Sequence, residues 1–154
     1  MKLTMDKYTQ FLKKCNFIDY DSSKKEICEA LLKDKTASNI CRDLIHDSCI
    51  EHILKSEEIK GYIAIVGGEY SGFVFFKHLF DTYYLSLIAT KTKLGFPLGQ
   101  MLLTKMEDDA KKNKAFNIQA DAIPEAVHFY EKMNYEVKYM NEDSGEFFIQ
   151  KSLM

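Results

Sequence analysis

Apolar residues recur along this chain at two periods, and the switch between them falls near Lys60. Before it, apolar positions lie three and four apart, which predicts helices. Thr4 or Asp6 caps the first, with Tyr8, Phe11, Leu12 and Cys15 on one face, and the stretch 16–21 then reads as extended. Ser22 or Ser23 opens a second helix with Ile27, Leu31 and Leu32 inward. Thr36 or Ser38 opens a third, with Ile40, Cys41, Leu44, Ile45, Cys49 and Ile53 inward. From Lys60 the period is two: GYIAIV, the pair Gly67-Gly68 and EYSGFVFF read as a β-hairpin with a glycine turn. After the connection KHLFDT comes YYLSLIA, a continuous apolar run that suits a central strand covered on both faces.

The helical period returns after the bend TKTKLGFPLG. It places Leu98, Leu102, Met106 and Ala110 on one row with Leu103 beside them, and Lys105, Asp108, Asp109 and Lys112 on the outer face. FNIQAD is the next strand. Pro124 suits the first position of another helix, with Ala126, Val127, Tyr130 and Met133 inward and Asn134 as a left-handed terminator. YEVKYM and EFFIQKSL flank the turn NEDSG and form a closing hairpin. The pattern predicts an α/β (α+β) fold: a mixed, mostly antiparallel central sheet of six to seven strands with helices on both faces, in a single domain over residues 1–154.

Composition narrows the class. The 154 residues are long enough for a full core, and 46% hydrophobic with 29% charged residues is ordinary for a soluble globular chain. A net charge of -2 carries no basic footprint for nucleic acid, no apolar run is long enough to span a bilayer, and MKLTMDKYTQ lacks the apolar core of a secretory signal. The expectation is a cytoplasmic protein with neither membrane nor nucleic-acid partners. Cys15, Cys28, Cys41 and Cys49 form no Cys-x-x-Cys pair and read as free thiols packed as small apolar residues. His46, Cys49 and His52 stand three apart, a helical spacing that fans side chains out by roughly 60° per step, so no metal site is expected.

Candidate chemistry concentrates between Tyr83 and Glu136. A strand that ends in a glycine-bearing bend and opens a helix can hold a phosphate on backbone N–H groups. Here that bend reads Leu94-Gly95-Phe96-Pro97-Leu98-Gly99, followed by Gln100, Met101, Leu102 and Leu103. One helix later comes Ala126-Val127-His128-Phe129-Tyr130-Glu131-Lys132-Met133-Asn134-Tyr135, in which Tyr130 offers a proton-bearing group.

Together these motifs resemble the GCN5-related N-acetyltransferases (GNAT), across essentially the whole chain. The family's bend is usually written Arg/Gln-x-x-Gly-x-Gly/Ala, and its later helix as A-x-x-(Phe/Leu)-Tyr-Glu-Lys-x-Gly-Phe. The chain departs from these patterns at Leu94, where a basic or amide side chain is usual, at Pro97, which replaces a glycine and has no N–H, and at Ile123, where many relatives have asparagine. Lys91 and Lys93 are candidates to supply positive charge at the bend or, equally, are solvated surface lysines.

The resemblance implies the GNAT acyl-CoA N-acyltransferase fold and transfer of an acetyl or longer acyl group from acetyl-CoA to a primary amine, by direct attack in a ternary complex without a metal. Coenzyme A would lie along Leu87, Ile88 and Ala89, on the bend from Leu94 through Gly95, Phe96, Pro97, Leu98 and Gly99 to Gln100, and beside Ala126 and Tyr130. Tyr130 would protonate the leaving thiolate; its alternative is an inward aromatic with a satisfied hydroxyl. Ser86 stands on the strand where some relatives carry a glutamate, and Asp81, Glu69, Asp121 and His78 are further candidate bases. Tyr83 and Tyr84 either line the substrate cleft or pack in the sheet. The acceptor, small molecule or peptide, stays open, and a homodimer is a weak expectation from relatives. A catalytically weak or inactive acyl-CoA-binding module of the same fold is the alternative, and an interaction protein that docks through its helical first third is a third reading.

Overall fold

The structure is a computed structural model, and it describes residues 15–33, 56–91 and 97–154. The readings for residues 1–14 and 34–55, including Cys41, His46, Cys49 and His52, lie outside the described residues, as do Lys93, Leu94, Gly95 and Phe96 of the bend.

Seven strands form one sheet in the order β1-β2-β3-β4-β5-β7-β6. They are β1 (Cys15–Asp19), β2 (Lys60–Val66), β3 (Glu69–Leu79), β4 (Thr82–Thr90), β5 (Asn117–Ala122), β6 (Glu136–Met140) and β7 (Phe147–Ser152). Every neighbouring pair is antiparallel except β4 and β5, so the mixed, mostly antiparallel sheet of the sequence reading is what is observed. Helix α1 (Lys25–Lys33) covers one face, while α2 (Leu98–Lys112) and α3 (Val127–Lys132) cover the other.

Alternation on β3 builds both cores at once. Phe73 and Phe75 bury against Cys28 and Leu31 of α1, whereas Val74 and Phe76 bury with Leu102, Leu103 and Met106 of α2. This is why β3 is apolar at consecutive positions despite being antiparallel. Gly67 and Gly68 both have positive φ, 59° and 84°, and close the β2–β3 hairpin as their order in the sequence predicts.

Three boundaries differ from the sequence reading. Cys15 begins β1 and does not end a helix. The cap before α1 is Asp21, which accepts from the Ser23 backbone N–H at 2.9 Å, because a single-turn 3-10 segment (Ser22–Lys24) precedes the helix. The connection KHLFDT is no loop: β3 runs to Leu79, pairs with Thr82, and turns in two residues with Phe80 at φ 56°. Asn134, at φ 69°, terminates α3 as expected.

Candidate active site

Three features meet at the end of the sheet where β4 gives way to α2. The first is a bulge. Phe75 pairs with Leu87 but Phe76 pairs with Leu85, so Ser86 is the extra residue on β4. Its insertion reverses the strand's phase. Tyr83 and Leu85 bury on the α2 face, Leu87 and Ala89 on the α1 face.

The second is an opening. β4 and β5 share the register pairs Thr82–Asn117, Tyr83–Ile118 and Tyr84–Gln119, after which β4 continues along β3 and β5 along β7. Two parallel strands that part while each stays paired on its outer side form a V, and Leu87, Ile88 and Ala89 lie on its β4 arm.

The third is the start of α2. Its first internal bond runs from the Met101 N–H to the Pro97 carbonyl at 3.1 Å, and Pro97 at the cap position offers no side-chain cap. The N–H groups of Leu98, Gly99 and Gln100 therefore precede the first helical bond, at the positive end of the helix dipole. Pro97 occupies the cap position. Leu98 turns its side chain into the core, while a Cβ built at Gly99 would meet, among the described residues, the Phe129 ring at 3.5 Å. The three amides at the positive end of the helix suit a phosphate. A cavity of about 370 Å³ adjoins this first turn, lined by Phe17, Pro97, Gln100, Met101, Thr104, Lys105, Asp108 and Met133.

Tyr130 comes to this end on α3. It is 5% exposed, with its ring held edge-on by Phe129 (5.1 Å) and Tyr135 (5.6 Å). Ala126 is buried at the helix start and its N–H closes the 3-10 turn onto the Ile123 carbonyl at 2.9 Å.

The candidate bases separate by position. Asp81 and His78 belong to the β3–β4 turn region at the opposite end of β4; His78 packs on Tyr83 at 4.6 Å, and the Asp81 carbonyl accepts from the Phe116 N–H at 2.7 Å. Glu69 and Asp121 are at the open end. Glu69 faces Lys91 at 3.8 Å, so that lysine's charge is shared with a carboxylate. Asp121 is joined by Glu146, whose carboxyl is raised first by burial and then by the Asp121 charge.

Tyr83 lines no cleft. It is fully buried, and its hydroxyl donates to Asp109 Oδ2 at 2.6 Å, while Tyr62 donates to Asp109 Oδ1. Asp109 accordingly turns inward and is not on the outer face of α2, because two tyrosine donors satisfy its carboxylate there. Tyr84, by contrast, is exposed.

Burial first, then the Asp109 hydrogen bond and charge, raise the Tyr62 and Tyr83 hydroxyls above the ordinary value of 10.0. Tyr135 is raised further, by burial and by Glu107. A raised folded value favours the native state below the unfolded pKa and loses that contribution as pH rises through the folded value. Stability measured by urea midpoint is therefore expected to fall above about pH 10, each such tyrosine steepening the slope by ~1.4 kcal/mol per pH unit. Tyr62→Phe and Tyr83→Phe should flatten it.

Sequence reasoning missed Glu107, Tyr135 and Lys151. Glu107 is 5% exposed on α2, accepts from the Tyr135 hydroxyl at 2.9 Å through Oε2, and pairs with Lys151 Nζ at 3.0 Å through Oε1. A signal was present: Glu107 stands four after Leu103 and three before Ala110, on the inward row of the helix.

No family model matches the chain, and no curated protein does. Solved structures do. The fold is similar to the PaiA N-acetyltransferase of Thermoplasma acidophilum in complex with coenzyme A, at TM-score 0.69 and 14% identity over 90% of this chain and 98% of that one. It is similar to a GNAT-family acetyltransferase of Staphylococcus aureus Mu50, at TM-score 0.72 and 19% identity over 91% and 99%. It also resembles the aminoglycoside 6'-N-acetyltransferase of Enterococcus faecium, at TM-score 0.67 and 13% identity over 90% and 97%. The fold is the GNAT fold.

Proposed function

We propose that this chain transfers an acetyl group from acetyl-CoA to a primary amine. The carrying observation is the V between β4 and β5 placed beside the first turn of α2, which Pro97 leaves without a side-chain cap. Beyond Tyr84 the edge of β4 that faces β5 pairs with no strand among the described residues, and an extended pantetheine arm can lie there along Leu87, Ile88 and Ala89 as an added strand would. The amides of Leu98, Gly99 and Gln100 then meet the pyrophosphate.

In the reaction an unprotonated amine attacks the thioester carbonyl, a C–N bond forms and the C–S bond breaks. A backbone N–H of the β4 arm polarises the carbonyl as charge develops on its oxygen. Tyr130 gives its proton to the departing sulfur. The proton lost by the amine passes to a carboxylate of the open end, Glu69, Asp121 or Glu146, directly or through water. Glu146 suits this role because burial brings its carboxyl toward the working range of a base. Ser86, half-buried at the bulge of β4, is a further candidate to carry this proton.

A binding module without turnover is the second reading, favoured by Pro97, which removes one donor, and by Lys91, which is engaged with Glu69. Calorimetry with coenzyme A and thiol release from acetyl-CoA over an amine panel separate the two: binding with amine-dependent thiol release supports transfer, binding alone supports the module, and no binding removes both. Gly99→Ala supplies an internal check. The new methyl would make ordinary contact with the Phe129 ring, and alanine is a better helix former than glycine, so Tm should hold or rise. Coenzyme A affinity should stay within about twofold, because the methyl packs on Phe129 and the motif this bend resembles takes alanine as well as glycine here.

A further inference from the structure

Glu107 is a nearly buried carboxylate that the reaction above does not use, and what it holds leads to the acid. Its Oε2 takes the Tyr135 hydroxyl at 2.9 Å. The Tyr135 N–H in turn donates to the Tyr130 carbonyl at 3.0 Å, through the left-handed turn at Asn134. The Tyr135 ring meets the Tyr130 ring edge-on at 5.6 Å. Tyr135 therefore grips Tyr130 at backbone and ring, and is itself fixed to the helix whose first turn faces the cofactor.

Lys151 of β7 holds the other carboxylate oxygen at 3.0 Å and lies over the Tyr135 ring at 5.6 Å. The carboxylate thus joins α2, β7 and the end of α3 at one point. Burial and Glu107 keep the Tyr135 hydroxyl protonated, so it is committed as a donor and does not compete with Tyr130 as the acid.

We propose that Glu107 and Tyr135 are positioning residues: they set the Tyr130 ring relative to the first turn of α2 and so govern proton delivery to the leaving thiolate. The proposal rests on the acetyl-transfer reading. Hydroxyl-to-sulfur proton transfer tolerates little misplacement, since a shift on the order of 1 Å can cost about a hundredfold in rate.

The test uses Tyr135→Phe, Glu107→Leu and Glu107→Gln in the full chain, with acetyl-CoA and the panel amine giving the highest wild-type turnover. Tyr135→Phe and Glu107→Leu should lower kcat about tenfold while the KM for acetyl-CoA changes less than about twofold. Glu107→Gln keeps an acceptor for Tyr135 and should restore most of the kcat that Glu107→Leu loses, although it weakens the Lys151 pair. In a Tyr130→Phe background, Tyr135→Phe should cost nothing further, because the group it positions is gone. Protein labelled at tyrosine Cζ gives a readout independent of turnover. The Tyr130 signal, identified by its loss in Tyr130→Phe, should move in Tyr135→Phe and Glu107→Leu while that of Tyr139 on the edge strand stays. Additive losses, a glutamine variant as slow as the leucine variant, or an unmoved Tyr130 signal would each overturn the proposal. Absence of coenzyme A binding by the wild type would overturn the acetyl-transfer reading instead, and the Tyr130 signal would then decide the link by itself.

Discussion

Tyr130→Phe is expected to lower kcat about a hundredfold while leaving the affinity for coenzyme A nearly unchanged. General acid catalysis by a placed side chain typically contributes at least that factor, which corresponds to ~2.7 kcal/mol of transition-state stabilisation. The substitution preserves the buried ring and its edge contacts with Phe129 and Tyr135, so the ring packing is retained while the hydroxyl is removed. The effect belongs in kcat, because a thiolate develops only as the C–S bond breaks. Stopped-time measurement of thiol release beside calorimetric titration with coenzyme A reads the two quantities separately. An equal loss in both would assign Tyr130 to binding and remove it as the acid.

The largest expected effect on stability comes from Gly61→Ala. A Cβ at this strand position would sit 2.5 Å from Phe75 Cδ1 and 2.6 Å from the Val74 carbonyl oxygen. Neither neighbour can yield easily. Phe75 is fully buried, 4.7 Å from Tyr20 and 4.9 Å from Phe73, and Val74 is held in register between β2 and β4. Overpacking of this kind costs about 3 kcal/mol. For a chain of this size that is roughly 8 °C in Tm, readable by thermal unfolding. A loss under about 1 kcal/mol would mean that β2 shifts to admit the methyl. Gly72, whose Cβ would approach the Ala89 carbonyl at 2.9 Å, marks the same closeness between β3 and β4.

How much of this was legible depended on whether a residue's role is local. The glycine turn at Gly67-Gly68, the left-handed stop at Asn134 and the inward row of α2 follow from short-range spacing, and they appear as the pattern foretells. The alternation of β3 and the unbroken apolar run of β4 likewise announce two covered faces. The bulge at Ser86 does not follow from spacing, because an extra residue in a uniformly apolar strand leaves the hydrophobic pattern intact and shows only when Leu85 and Leu87 take different partners. Asp109 and Glu107 were hidden for a different reason. Carboxylates are assigned to water by default, and the tyrosines and lysine that make their burial affordable lie 26 to 47 residues away in sequence. At the site, the bend and Tyr130 were readable as motifs, while Glu146 became a candidate only when the closing hairpin set it beside Asp121.

The opening between β4 and β5 has a mechanical consequence as well as a chemical one. The strands β1 to β4 are antiparallel neighbours in one leaf and the strands β5 to β7 form another, and among the described residues Thr82–Tyr84 against Asn117–Gln119 is the strand pairing between them. Helix α2 spans that seam, since the chain must cross over through it to lay β5 parallel to β4. The sheet is therefore two leaves bound along a short spine. A ligand seated in the V touches both leaves, so its binding energy works directly against their parting and its departure returns that freedom.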